Sequence, residues 1–288
     1  MKKTKEFKNL LFRKKIVIAP GAYDALSAKL IDEAGFEVVY VTGAGIANSQ
    51  FCLSDVGLTT QTEMLEQVRR IAGVVTRPLL VDIDTGYGSF LNVIRTVREF
   101  EKAGAAGLQM EDQAFPKKCG HFEGKQIVAL DEMVYKIKAA VDTRIDQDLA
   151  IIARTDSRAV LGIEGAIEKA QSYLEAGADA IFVEAPETKD EIKMVSTAIS
   201  APKVANMVEG GKTPLCTTNE LEELGYSLVI YANSPLRTAA KAIQKLLKHL
   251  KKYGSTIGVL DEMITMEERK RITALEEIYA LEKLYSIK

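Results

Sequence analysis

Eight short apolar runs punctuate the chain, at residues 16–19, 38–42, 79–82, 107–111, 150–154, 180–184, 203–206 and 228–232. Most are continuous and do not alternate with polar residues, the pattern of strands buried on both faces of a parallel sheet. Stretches of roughly 10–15 residues with helical spacing separate most of them, which is a βα rhythm. An internal echo reinforces it. Ala34-Gly35, Ala103-Gly104, Ala176-Gly177 and Leu224-Gly225 each stand just before a run, so that a helix stops at glycine and a strand follows. Eight strands in one uninterrupted series predict a closed (β/α)8 TIM-type barrel, an α/β fold. A doubly wound open sheet would be expected to carry a glycine-rich phosphate loop after its first strand, and Pro20-Gly21-Ala22-Tyr23 is not one.

Past residue 255 no strand is left for a helix to serve. Residues 266–285 are rich in Glu, Lys, Leu and Ile, with Ile272, Leu275, Tyr279 and Leu284 at helical spacing. The pattern predicts an amphipathic helical tail. The expected organisation is a barrel over 1–255 and a tail over 256–288 that packs either on a neighbouring subunit or back on its own barrel.

Composition narrows the function. The 288 residues are 47% hydrophobic, enough for a large core, and a net charge of −2 gives no reason to expect nucleic acid as a partner. No apolar run approaches the ~20 residues of a membrane helix. The basic start (Lys2, Lys3, Lys5, Lys8, Arg13, Lys14, Lys15) lacks the apolar stretch of a targeting segment and reads as a surface lead-in. Three cysteines without paired spacing suit a reducing, cytoplasmic setting. Two histidines cannot build a three-histidine metal site, so any metal must rest on carboxylates.

A barrel of this kind keeps its active site at the C-terminal strand ends. Those ends carry Tyr40, Thr42, Gly43, Ala44, Asp82, Asp84, Glu111, Asp112, Arg154, Asp156, Glu184, Asn206 and Asn233, with Arg237 just beyond. Helix capping is the alternative role for single members such as Asp112 or Asp156. Asp82 and Asp84 share one strand face. With Glu111 and Glu184 near, so many carboxylates repel unless a cation intervenes, and Mg2+ is the simplest hard ion to do it; an arginine-paired structural cluster is the alternative. Residues 111–125 form a long polar, glycine-punctuated loop that reads as a lid. Within it, lysines beside Cys119 would favour a thiolate or attract an anionic substrate.

These motifs resemble the isocitrate lyase/phosphoenolpyruvate mutase superfamily. Lys117-Lys118-Cys119-Gly120-His121 is similar to its lyase signature. Asp82-Ile83-Asp84-Thr85-Gly86, Glu111-Asp112-Gln113, Arg154-Thr155-Asp156 and Lys212-Thr213-Pro214 extend the likeness over essentially the whole chain. The resemblance implies a carbon–carbon lyase acting on a small carboxylate, dependent on Mg2+ (Mn2+ as a substitute), and a homotetramer that exchanges C-terminal helices. It implies that Thr42, Gly43 and Ala44 grip a substrate carboxylate. It gives Asp82 and Asp84 the metal, with Asp55, Glu111 and Glu184 in its outer shell. Arg154, Asn206 and Arg237 would bind substrate. Lys117, Cys119, Gly120 and His121 would form the lid, with Cys119 as general acid. The base stays open between Tyr40, Lys117 and a metal-linked water.

The length disfavours the longer isocitrate lyases, and the Cys-Gly-His lid disfavours phosphonomutase-type chemistry. Phe182-Val183-Glu184-Ala185 and Val208-Glu209-Gly210-Gly211 look more like the 2,3-dimethylmalate lyase branch than the methylisocitrate lyases. Oxaloacetate decarboxylase or hydrolase chemistry in the same pocket is a further alternative, and a catalytically silent barrel is the rival from another class.

Overall fold

All eight apolar runs are strands in the computed structural model, which describes residues 1–286. They are β1 (Val17–Ala22), β2 (Val39–Val41), β3 (Leu79–Asp82), β4 (Gly107–Glu111), β5 (Ala150–Thr155), β6 (Ala180–Val183), β7 (Lys203–Asn206) and β8 (Leu228–Tyr231). Each pairs in parallel with the next, and β1 pairs with β8, so the barrel closes. The strand β1 runs further than its apolar pattern suggested. Gly21 and Ala22 pair with Tyr40 and Val41, across the polar-looking Pro20-Gly21 step. A Cβ on Gly21 would lie 1.9 Å from the Ala232 carbonyl oxygen, so only glycine lets the chain pass here.

The helices on this barrel are α1 (Lys3–Phe12), α2 (Ala25–Glu33), α3 (Gly43–Phe51), α4 (Gln61–Ala72), α5 (Phe90–Lys102), α6 (Leu130–Thr143), α7 (Arg158–Glu175), α8 (Lys189–Ala198) and α9 (Thr218–Glu223). The four glycine stops at 35, 104, 177 and 225 all have positive φ, as the echo predicted. Two apolar cores result. The larger lies between sheet and helices, with Val81, Leu108, Ile151 and Ile181 facing Val68, Val97, Ile137 and Ala166. The smaller fills the barrel interior with Ala19, Tyr40, Leu80, Ile152 and Phe182.

The N-terminal lead-in proves to be structural. Its helix α1 sends Phe7, Leu10 and Leu11 into that inner core, and a Cβ on Gly107 would meet the Phe7 ring at 2.3 Å. Lysines on its other face hid the plug: Lys2, Lys5 and Lys8 pair with Asp146, Asp148 and Asp179.

The chain divides into two compact units, Met1–Leu236 and one beginning at Arg237. The tail expected from 256 onward lies wholly in the second unit. Most of α10 (Ser234–Tyr253) goes with the tail, because its spacing, like that of a barrel helix, conceals that it buries no side chain. After a short turn at Leu260–Glu262 come α11 (Met266–Ile272) and α12 (Leu275–Tyr285), the helical tail the periodicity predicted. No helix among the described residues is long and apolar enough to cross a membrane.

Candidate active site

The strand ends surround a cavity of about 390 Å³. Of the residues singled out in the sequence, Tyr40, Thr42, Ala44, Asp55, Asp82, Cys119, Gly120, His121, Arg154, Glu184, Asn206 and Asn233 line it. Lys117, Asp84 and Glu111 stand behind this wall. Lys117 Nζ lies 2.7 Å from Asp84 Oδ1, and Glu111 Oε2 lies 3.3 Å from Arg154 Nε. Gly43 backs onto Asp82 and Asp84, whose oxygens would be 3.2 and 3.4 Å from a Cβ there. Arg237 lies on α10, at the start of the second unit.

Parallel register builds the acidic end. It sets Asp82 beside Gln109 and Glu111 beside Arg154, so four interior-facing polar groups meet at adjacent strands. Gln109 Nε2 donates to the Tyr40 hydroxyl (3.0 Å), which donates to Asp82 Oδ2 (3.3 Å). Burial, reinforced by Asp82, pushes the Tyr40 phenol well above its ordinary value, which keeps it a donor. Burial and the neighbouring Asp84 push Asp82 up to about 6. Lys117 Nζ pairs with both Asp55 and Asp84. Burial alone would lower the Lys117 ammonium, but four carboxylates, Asp84 first, outweigh it and hold the group well above its usual value.

This end fits a hard cation that keeps waters. No trio of His, Cys, Asp or Glu encloses a metal among the described residues. Mg2+ requires only one or two carboxylates besides water and substrate oxygens. Glu111 Oε1 is buried without a hydrogen-bond donor, and Asp84 Oδ1 has the Lys117 ammonium alone. Unsatisfied carboxylate oxygens of this kind call for a cation or protons.

The centre of the cavity belongs to Arg154. Its guanidinium spans Asp156 (Nε–Oδ2 2.9 Å, Nη2–Oδ1 3.2 Å) and reaches Glu184 Oε2 at 3.4 Å. Burial disfavours the Glu184 carboxylate, yet Arg154 and His121 outweigh it and hold the group below the usual range. Asp112 and Asp156 are not helix caps. Asp112 sits beneath the site, accepting from Thr155 Oγ1 (2.6 Å), Tyr173 Oη (2.8 Å) and the Asp156 N–H (2.8 Å). Thr42 caps α3, its Oγ1 accepting from the Gly45 N–H at 3.1 Å. The Thr42-Gly43-Ala44 segment is therefore a helix N-terminus edging the cavity, where backbone N–H groups favour an anion.

The lid is an ordered loop. Its stem is fixed by Ala114 N–H to Gln126 O (2.8 Å) and Val128 N–H to Asp112 O (2.9 Å). The Gln113 amide holds both the Lys118 carbonyl (2.7 Å) and the Lys118 N–H (2.9 Å). His121 Nε2 lies 3.1 Å from Glu184 Oε1, and its Nδ1 accepts from the Lys212 N–H at 3.0 Å, so the ring joins the ends of β6 and β7. Lys212 Nζ in turn reaches Glu123 at 2.5 Å. Gly120 packs so closely on Arg154 and Glu184 that a Cβ would be 2.5 Å from each. The expectation of a Cys119 thiolate is overturned. Lys117 turns to Asp55 and Asp84, and Lys118 Nζ turns to the Glu123 carbonyl. Burial pushes the Cys119 thiol up to about 11, so it stays protonated at neutral pH.

Sequence reasoning gave no role to Gln109, Gln113 or Lys125, nor to Phe122 and Lys212 in the cavity wall. Period-two alternation with Glu111 was the available signal for Gln109.

A family model described as phosphoenolpyruvate phosphomutase matches residues 7–251. The chain is 48% identical over 281 residues to 2,3-dimethylmalate lyase of Eubacterium barkeri, covering 98% of this chain and 97% of that protein. It is 42% identical to a 2-methylisocitrate lyase of Halalkalibacterium halodurans, covering 96% and 91%. Among solved structures, phosphonopyruvate hydrolase in complex with oxalate and Mg2+ superposes with a TM-score of 0.90 at 31% identity, over 99% of each chain.

Proposed function

Since the chain belongs to the phosphoenolpyruvate mutase/isocitrate lyase superfamily and is a carbon–carbon lyase, we propose that it cleaves a 2-hydroxy dicarboxylate of the 2,3-dimethylmalate type into pyruvate and a short carboxylate. The observation that carries the reading is the lid, with Cys119 protonated and Gly120 seated on Arg154 and Glu184.

The substrate's α-carboxylate binds at the N-terminus of α3, and Arg154 binds the oxygen that becomes the keto group. The hydroxyl proton leaves toward the acidic end, where Tyr40 donates to Asp82 and Lys117 pairs with Asp84. The C2–C3 bond then breaks, its electron pair passing to the departing fragment as an enediolate. Cys119 returns one proton to that carbon, so atoms and charge balance. The closed lid keeps water from supplying that proton first. Asp82 and Asp84 would hold Mg2+, which when bound supplies Lewis acidity for the developing keto oxygen.

Val208, Ala44, Ala232 and Phe122 present uncharged surface to the cavity, with the acid Glu209 beside them. Those side chains suit a methyl-bearing arm, and Lys212 in the same wall is taken up by Glu123 and Glu187. The 42% identity to a 2-methylisocitrate lyase supports the tricarboxylate as a second reading. A Mg2+-dependent assay comparing 2,3-dimethylmalate, 2-methylisocitrate, isocitrate and oxaloacetate separates the two. Pyruvate from the first and none from the second is the expected result; the reverse would transfer the activity to the tricarboxylate.

Assembly goes with the tail. In α10 and α12, Ile243, Leu247, Ile278, Leu281 and Leu284 are exposed. Apolar stripes of this kind support a homotetramer in which the tail is exchanged between subunits. Three free cysteines support a cytoplasmic setting.

A further inference from the structure

Lys125 closes the lid loop from within the protein. Its side chain is 1% exposed, and its ammonium donates to Asp156 Oδ1 (2.9 Å) and to the Gly120 carbonyl. Burying an ammonium is costly unless each of its contacts returns something. Asp156 is already oriented without it, because both of its oxygens accept from Arg154. Asp156 is also anchored at its backbone, its N–H donating to buried Asp112. What Lys125 adds is a tie from this fixed carboxylate to the peptide that follows Cys119.

We infer that Lys125 is a positioning residue, a latch that holds the Cys119-Gly120 peptide closed against the Asp156–Arg154 pair. The lid and the substrate-binding arginine are then set by one shared carboxylate. When the lid opens, the Gly120 carbonyl leaves Lys125 and Cys119 moves into solvent. When it closes, the thiol comes to rest beside a guanidinium already oriented by Asp156. The inference rests on the proposed role of Cys119, but its first test needs no substrate.

The three cysteines supply the test. Cys52 is exposed, Cys119 is half-buried in the lid and Cys216 is buried in the core. Iodoacetamide labelling of the full-length protein, read at each cysteine by mass spectrometry, therefore reports lid opening at Cys119. Cys216 monitors the fold and Cys52 the reagent. In Lys125→Gln the latch is lost while Asp156 keeps Arg154. Cys119 is expected to label about 10-fold faster or more, as a locally opened segment does, with Cys216 still silent. Release of pyruvate from 2,3-dimethylmalate should fall about 10²-fold in kcat, with KM changing less, as misplacement of a reacting group predicts. Wild-type labelling of Cys119 in Lys125→Gln overturns the latch. If Cys216 also labels, Lys125→Met, which keeps the chain length without the charge, decides. Faster labelling confined to Cys119 supports the latch; labelling of Cys216 in both variants assigns Lys125 to the fold and rejects it. A wild-type protein inert toward 2,3-dimethylmalate would sink the functional proposal and leave the labelling result standing.

Discussion

Cys119→Ser is expected to lower kcat for keto-acid release about 10²- to 10⁴-fold, the usual loss of a general acid. KM should move only a few-fold, since the α-carboxylate would bind at the N-terminus of α3. The reason is acidity and not shape. Burial holds the thiol up to about 11, still acidic enough to protonate an enediolate. A serine hydroxyl in the same place fills nearly the same volume and is a far weaker acid. The lid should still close, because its ties run through Gln113, Lys125 and His121 and not through the sulfur. Steady-state pyruvate release measures the effect; turnover within threefold of wild type would remove Cys119 from the reaction.

Arg154→Met should be worse, because it removes two things at once. The buried guanidinium contacts Asp156, Glu111 and Glu184, and its cation lies 5.2 Å from the Phe182 ring centre. Taking one partner out of a buried ion cluster costs roughly 3–5 kcal/mol through the charges left behind. The denaturation midpoint in urea should therefore drop. Turnover should fall about 10³-fold or more, since the group opposing charge on the substrate oxygen is gone. Arg154→Lys separates the two effects. It keeps a cation for the carboxylates, and so much of the stability, but cannot span Asp156 with two nitrogens, so activity stays low. An Arg154→Met protein as stable as wild type would contradict the charge balance described for this cluster.

How much of this was legible in the chain depended on how local each signal was. The strands were legible because burial on both faces writes itself as continuous apolar runs, and the helix stops because positive φ selects glycine at Gly35, Gly104, Gly177 and Gly225. The acidic strand ends and the lid followed from the barrel's polarity. The helix α1 was not legible as a plug, because basic residues paired with distant acids mask its apolar stripe. Lys125 was not legible either. Its partner Asp156 lies 31 residues on and meets it only once β5 has formed beside β4. The thiolate expected at Cys119 failed for the same reason. Adjacency in sequence placed two lysines beside the sulfur, and the folded loop turned both away.

The central claim is that this cavity breaks a carbon–carbon bond and that the lid supplies the final proton. Turnover of 2,3-dimethylmalate in D2O with Mg2+, followed by NMR, tests it most directly. The predicted products are pyruvate and propionate, the propionate carrying one deuteron at C2 in a single configuration, because one fixed donor delivers it. 2,3-Dimethylmalate left untouched, or propionate carrying its deuterium in both configurations at C2, would contradict it.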